Sequence, residues 1–134
     1  MDIIAKAREF AKEIQNTEEY AELIKARKMS DEDTALQDQI GKFNLLKMNI
    51  DNEISSDNVN HERLKELNTE LQNLYDDIMR NENLIAFNNA KANVDKILTK
   101  VDALLSASVN GEDVDSFDVD SACSGNCSTC GGCN

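Results

Sequence analysis

Residues 60–80 read NHERLKELNTELQNLYDDIMR. The apolar side chains Leu64, Leu67, Leu71, Leu74 and Ile78 recur at steps of three, four, three and four, with little else apolar between them. At about 3.6 residues per turn such spacing gathers all five into one stripe along a helix. Each gains roughly 1.5–3 kcal/mol when fully buried, so the stripe demands a partner from the flanking segments.

The segments on both sides carry matching stripes. Asp2 can cap a first helix bearing Ile3, Ala7, Phe10, Ala11 and Ile14. Asn16 and Thr17 interrupt it, and Thr17 can cap a second, short helix through Tyr20, Leu23 and Ile24. The run Ser30-Asp31-Glu32-Asp33 ends that helix and supplies capping groups and negative charge to the next. A long third helix follows with Leu36, Ile40, Phe43, Ile50 and Ile54 in register. Lys47 stands where a further apolar residue is due, and Leu45, Leu46 and Met48 widen the face. Gly41 within it costs about 1 kcal/mol relative to alanine, which predicts close backbone packing there. The polar connection Ser55–Asn58 is short enough to enforce an antiparallel hairpin with the Leu64–Ile78 helix.

Asn81-Glu82-Asn83 marks the next break. The last helix then carries Leu84, Phe87, Val94, Leu98, Val101 and Leu105, with Lys91 as the exception. Lysines at such positions commonly lie at the rim and extend their stems to water, the reading taken for Lys47 and Lys91. The fold class expected is all-α: an antiparallel up-and-down helical bundle of about five helices, three of them long, with a flexible cysteine-rich C-terminal tail.

Composition agrees. The 134 residues contain no proline, five glycines and 4% aromatics, unlike a turn-rich sandwich or barrel. They allow one compact domain at most, divided into a helical body over 1–108 and an acidic, cysteine-rich tail over 109–134. Net charge is −12, which opposes direct binding to nucleic acid or to an anionic membrane. No segment has the length and hydropathy of a membrane span, and the opening Met1-Asp2-Ile3-Ile4-Ala5-Lys6 lacks the pattern of a signal peptide. A cytoplasmic protein is expected. Four apolar stripes on so short a chain exceed what one monomer covers, so a homodimer or hetero-complex is expected as well.

From Ser106 to Ala122 the sequence turns small, polar and acidic and reads as a flexible tether. Its aspartates do not make a calcium loop. Counting from Asp113, the sixth and twelfth positions hold Asp118 and Ser124 instead of Gly and Glu.

All four cysteines then fall within eleven residues, as Cys123, Cys127, Cys130 and Cys133 in the spacing C-x3-C-x2-C-x2-C. Thiols stay reduced in the cytosol, which favours metal ligation or redox chemistry over structural disulfides. The Gly, Ser, Thr and Asn fillers let the backbone wrap a small centre and direct its amides to sulfur. Four thiolates suit either a [4Fe–4S] cluster or tetrahedral zinc. Structural zinc usually joins two well-separated C-x2–4-C pairs, whereas three cysteines at x2, x2 are closer to the ferredoxin run. The cluster is therefore the first reading and zinc the second. A thiol-redox role comes third, because neither C-x-x-C pair sits at a helix start that would lower a thiol pKa.

His61 is the one histidine and reads as a surface residue. It leaves no catalytic triad or dyad to assemble, and no glycine-rich loop could cradle phosphate, so no enzymatic activity is expected.

The opening MDIIAKARE (1–9), LQDQIGKFNLLKMN (36–49), LKELNTELQNLYDDIM (64–79) and NLIAFNNAKANVDKIL (83–98) together resemble the YlbF/YmcA family of small helical bacterial regulators. The cysteine-rich terminus resembles the tail of its YlbF branch. The resemblance implies a non-enzymatic adaptor that assembles with YmcA-like and YaaT-like proteins into a complex binding [4Fe–4S] clusters. That complex acts with the endoribonuclease RNase Y in mRNA processing, with effects on competence, sporulation and biofilm formation. It also implies Cys123, Cys127, Cys130 and Cys133 as cluster ligands. The alternative is a structural helical oligomer with a zinc-binding or thiol-redox tail.

Overall fold

A computed structural model describes residues 2–121, and all their regular structure is helical. The elements are α1 (Ile3–Ile14), α2 (Glu18–Glu32), α3 (Thr34–Ile54), α4 (His61–Met79) and α5 (Glu82–Val109). Three long helices and two shorter ones match the expectation. Residues 123–134, with all four cysteines, lie outside the described part. The chain forms two compact units, Met1–Ala90 and Lys91–Asn134.

The helix starts follow the capping chemistry of the sequence. Asp2 accepts from the Ile4 amide at 3.0 Å, Thr17 from Tyr20 at 3.2 Å and Asn60 from Arg63 at 3.1 Å. Each side chain satisfies an amide that the first helical turn leaves without a partner. Asp33 alone breaks the chain between α2 and α3; Ser30, Asp31 and Glu32 remain helical, so α2 is longer than its apolar pattern suggested.

Within Met1–Ala90 the hairpin of α3 and α4 is the dominant packing, and α2 meets α3 over a shorter stretch. Near the connection, Arg63 Nε lies 3.7 Å from Glu53 Oε2, and the Asn60 amide donates to Glu53 Oε1 at 2.8 Å. Further along, the Phe43 and Tyr75 rings pair at 6.2 Å between centroids. Residues rising on α3 thus meet residues falling on α4, which makes the hairpin antiparallel. Leu67 and Ile78 of the 60–80 stripe are buried and Leu64, Leu71 and Leu74 half-buried, as their spacing predicts.

Other faces depart from the simple pattern. On α3, Leu36 is completely buried and Ile50 nearly so, but Ile54 at the helix end is exposed and Leu46 takes a half-buried place. On α2, Ile24 points outward while Ala26 and Ser30 are buried beside Leu23, because small side chains let a neighbouring backbone approach. The Gln37 side-chain amide ties this junction: its Nε2 donates to the Ser30 carbonyl at 3.0 Å. On α1, no residue is buried.

On α5, the seven-residue row Leu84, Lys91, Leu98, Leu105 turns outward beyond its first member. A straight helix drifts about 20° per heptad, so Val94, Ile97, Val101 and Leu104 form the half-buried stripe instead. The helix ends where Gly111 adopts a φ of 82°. Glu112 and Gly111 donate to the carbonyls of Ala107 and Ser108, closing a glycine-based C-terminal motif.

Candidate interaction surfaces and the cysteine tail

Asp33 joins three helices. Its Oδ1 accepts from the Leu36 amide at 3.0 Å, capping α3, while Oδ2 accepts from Asn81 Nδ2 at 2.9 Å and Asn83 Nδ2 at 3.0 Å. Asn81 in turn accepts from the Leu84 amide at 3.0 Å and caps α5. One carboxylate therefore sets where α2 ends and α3 begins, and fixes the start of α5 against both. Nothing in the local pattern pairs residues 48 and 50 positions apart, and this link is absent from the sequence reading.

The Asn81 amide, then the Leu36 backbone amide and the Asn83 amide, hold the Asp33 carboxyl below the usual aspartate range. A depressed carboxyl stabilises the fold while ionised and ceases to do so as pH falls through its folded value. Asp33→Asn keeps a capping oxygen but turns an amide donor toward two amide donors. The stability of wild type over this variant is expected to be constant above about pH 5 and to shrink below about pH 4. Urea unfolding of both proteins across that range measures it; a difference independent of pH would remove the carboxylate's role.

Lys47 is exposed, and its Nζ lies 5.8 Å from the Phe43 ring centroid, beside the Phe43–Tyr75 pair. Its stem thus covers the aromatic edge of the hairpin while the ammonium reaches water. Lys91 is exposed likewise. Gly41 does not meet its expectation among the described residues: a Cβ built there finds none of their atoms within 4 Å. It faces outward beside Leu45 and Met48, which are 56% and 60% exposed.

Of the stretch Ser106–Ala122 read from sequence as a tether, Ser106–Val109 instead complete α5, and residues 110–121 form successive turns. Asp113 Oδ1 accepts from the Asp115 amide at 3.1 Å, and Asp118 Oδ1 from the Asp120 amide at 3.0 Å. Asp120 pairs with Lys100 at 2.8 Å, and that hydrogen bond and charge raise the lysine's pKa. Phe117 and Val119 are half-buried, and Ala107 is almost wholly covered. The segment thus returns along α5 and is held there three residues before Cys123. The pair is solvent-exposed, so salt screens it.

Among the described residues no group of three or more His, Cys, Asp or Glu side chains is placed to hold a metal ion. The four sequence-identified ligands, Cys123, Cys127, Cys130 and Cys133, lie outside them. His61 is exposed in the first turn of α4, within a shallow groove that also includes Lys65, Thr69 and Gln72, and it meets no nucleophile–base arrangement there. No helix among the described residues is long and apolar enough to cross a membrane.

A family model described as control of competence regulator ComK, YlbF/YmcA, matches residues 3–110. No curated protein and no solved structure matches the chain.

Proposed function

Because the chain belongs to the YlbF/YmcA family, whose described role is regulatory, we propose that it is a non-enzymatic adaptor whose terminal cysteines hold an iron–sulfur cluster. The helical body docks on protein partners, and the tail couples that assembly to iron or redox state. The observation that carries the reading is the concentration of all four cysteines in eleven residues, Cys123 to Cys133, beyond the family-matched body that ends at residue 110. The donor set fits the group: four thiolates on a backbone of small residues match the needs of a [4Fe–4S] cluster.

Cys123, Cys127, Cys130 and Cys133 would hold the cluster, which supplies oxygen- and electron-sensitive iron. Lys100 and Asp120 bring the chain back to α5 just before the first of them. The exposed apolar residues of α1 and α3 offer partner surfaces, and the acidity of the chain directs them toward proteins instead of RNA. By family resemblance the partners are YmcA-like and YaaT-like proteins in the cytoplasm, and the downstream enzyme is RNase Y.

Anaerobic co-purification with metal and sulfide analysis tests this. The expected product is brown, bleaches in air and contains iron with acid-labile sulfide. A colourless complex with one zinc per chain, even after anaerobic reconstitution with iron and sulfide, would establish the zinc-tailed oligomer in its place.

A further inference from the structure

The C-terminal half of α5 and the turns after it belong to one compact unit. Gly111, in the left-handed conformation, reverses the chain at the helix end, where the Glu112 amide donates to the Ala107 carbonyl at 3.0 Å. Further on, Asp120 Oδ1 meets Lys100 Nζ at 2.8 Å. Lys100 and Ala107 stand a heptad apart on one side of α5, separated by about 10 Å along its axis, with Ala103 and Leu104 between them. Residues 112–120 therefore run back over that side. Ala107 is 2% exposed there, whereas Leu105 and Val109 on the opposite side are 59% and 87% exposed.

This cover is thin and holds itself together. Phe117 and Val119 are its half-buried apolar residues, and Val114 is exposed. Beyond Glu112 its hydrogen bonds stay internal: Asp113 accepts from the Asp115 amide and from Ser116, and Asp118 from Asp120 and Ser121. Among the described residues the Lys100–Asp120 pair is then its one polar tie to α5, and solvent weakens that tie, because both side chains are at least half exposed. Residues 112 to 120 can span roughly 26 Å when extended, more than twice the distance they cover, so their turns hold slack. Glu112, Asp113, Asp115, Asp118 and Asp120 also make the segment strongly acidic in a chain of charge −12, and Lys100 is the cation seated against it.

We infer that residues 112–121 form a two-state strap on α5, with Lys100 as its clasp. In the closed state Phe117 and Val119 cover the side that carries Ala103, Leu104 and Ala107, and Lys100 holds Asp120. In the open state the strap swings about Gly111 with its own turns intact. Opening breaks one exposed ion pair and two partial apolar contacts, and no hydrogen bond within α5. It also relieves the crowding of like charge, so the two states lie close in free energy and Lys100 sets the balance. The chain leading to Cys123 starts beside α5 when the strap is closed and leaves with it when it opens. The inference rests on the adaptor reading and deepens it by naming the joint between tail and body. Its test needs neither metal nor partner, so a strap that fails leaves the cluster reading standing.

The chain has no tryptophan, so Phe117→Trp in the full-length, reduced, metal-free protein installs a single reporter in the strap. Its emission is expected to be shielded from water. Adding Lys100→Glu or Asp120→Lys is expected to move the emission to the red and to increase quenching by acrylamide, with unchanged helicity by circular dichroism. Lys100→Glu together with Asp120→Lys exchanges the two charges and is expected to restore the shielding. In chains that keep Phe117, a protease that cuts before aspartate is expected to cleave at Asp115 and Asp118 about three- to tenfold faster in Lys100→Glu, the range for reversing an exposed pair when cleavage follows the open population. A tryptophan as exposed without the charge reversal as with it overturns the proposal, and so does cleavage indifferent to Lys100→Glu. Single reversals that open a strap which the charge exchange does not close would remove Lys100 as its clasp.

Discussion

Replacing Leu36 by alanine is expected to destabilise the Met1–Ala90 unit by about 3 kcal/mol, read as a fall of roughly 15 °C in its thermal midpoint. Leu36 is the one large side chain among the described residues with no exposed surface. It sits in the first turn of α3, three residues after the aspartate that binds both asparagines. Truncation there removes buried methyl groups and leaves a cavity at the point where α2 and α3 are joined. Few other buried apolar residues share the load: within this unit they are Leu23, Ala26, Ile50, Leu67, Ile78 and Ala90. A small domain has only about 5–15 kcal/mol of net stability, so the loss is a large fraction of the whole. Ile24→Ala, at a side chain 40% exposed on α2, is expected to cost under about 1 kcal/mol. Differential scanning calorimetry of the two variants decides the matter; equal losses would show that Leu36 is not the centre of the packing.

Exchanging Cys123 and Cys127 together for serine is expected to abolish iron and sulfide binding while leaving the helical body intact. Two remaining thiolates cannot complete a four-ligand cluster, and neutral serine hydroxyls are poor substitutes for thiolate. The body should not respond, because its described core contains no cysteine and the family match ends at residue 110. Metal and sulfide assays on anaerobically purified protein, alongside far-ultraviolet circular dichroism, give both readouts at once. A variant that loads iron and sulfide like wild type would refute ligation by these thiols. A variant that also lost its helices would show that the tail is part of the fold instead of an attachment to it.

Much of the helical framework was legible from local chemistry. Asp2, Thr17 and Asn60 cap as side chains of their type do, and the 60–80 stripe faces inward along its length. The choice of buried side was less legible. Ile24, Ile54, Leu98 and Leu105 are as apolar as their buried neighbours, and an apolar residue at the right spacing is indistinguishable from one that packs. Which of them is covered depends on where the next helix lies, on how closely small residues such as Ala26 and Ser30 admit it, and on helix drift. The candidate site divides in the same way. The cysteine spacing was plain in the sequence, whereas the return of residues 110–121 along α5 through Lys100 and Asp120 was not, because a run of aspartates and serines carries no periodicity.

By itself the order of residues determined how many helices form, where they start and that α3 and α4 make a hairpin. Those features arise from hydrogen bonds and side-chain spacings that reach no further than a turn or a short loop. Only the tertiary structure decided that Asp33 clasps Asn81 and Asn83, that Gly41 opens outward and that, among the described residues, none of α1 is buried. Contacts between residues distant in the chain depend on the relative placement of whole helices, and no local pattern encodes that placement.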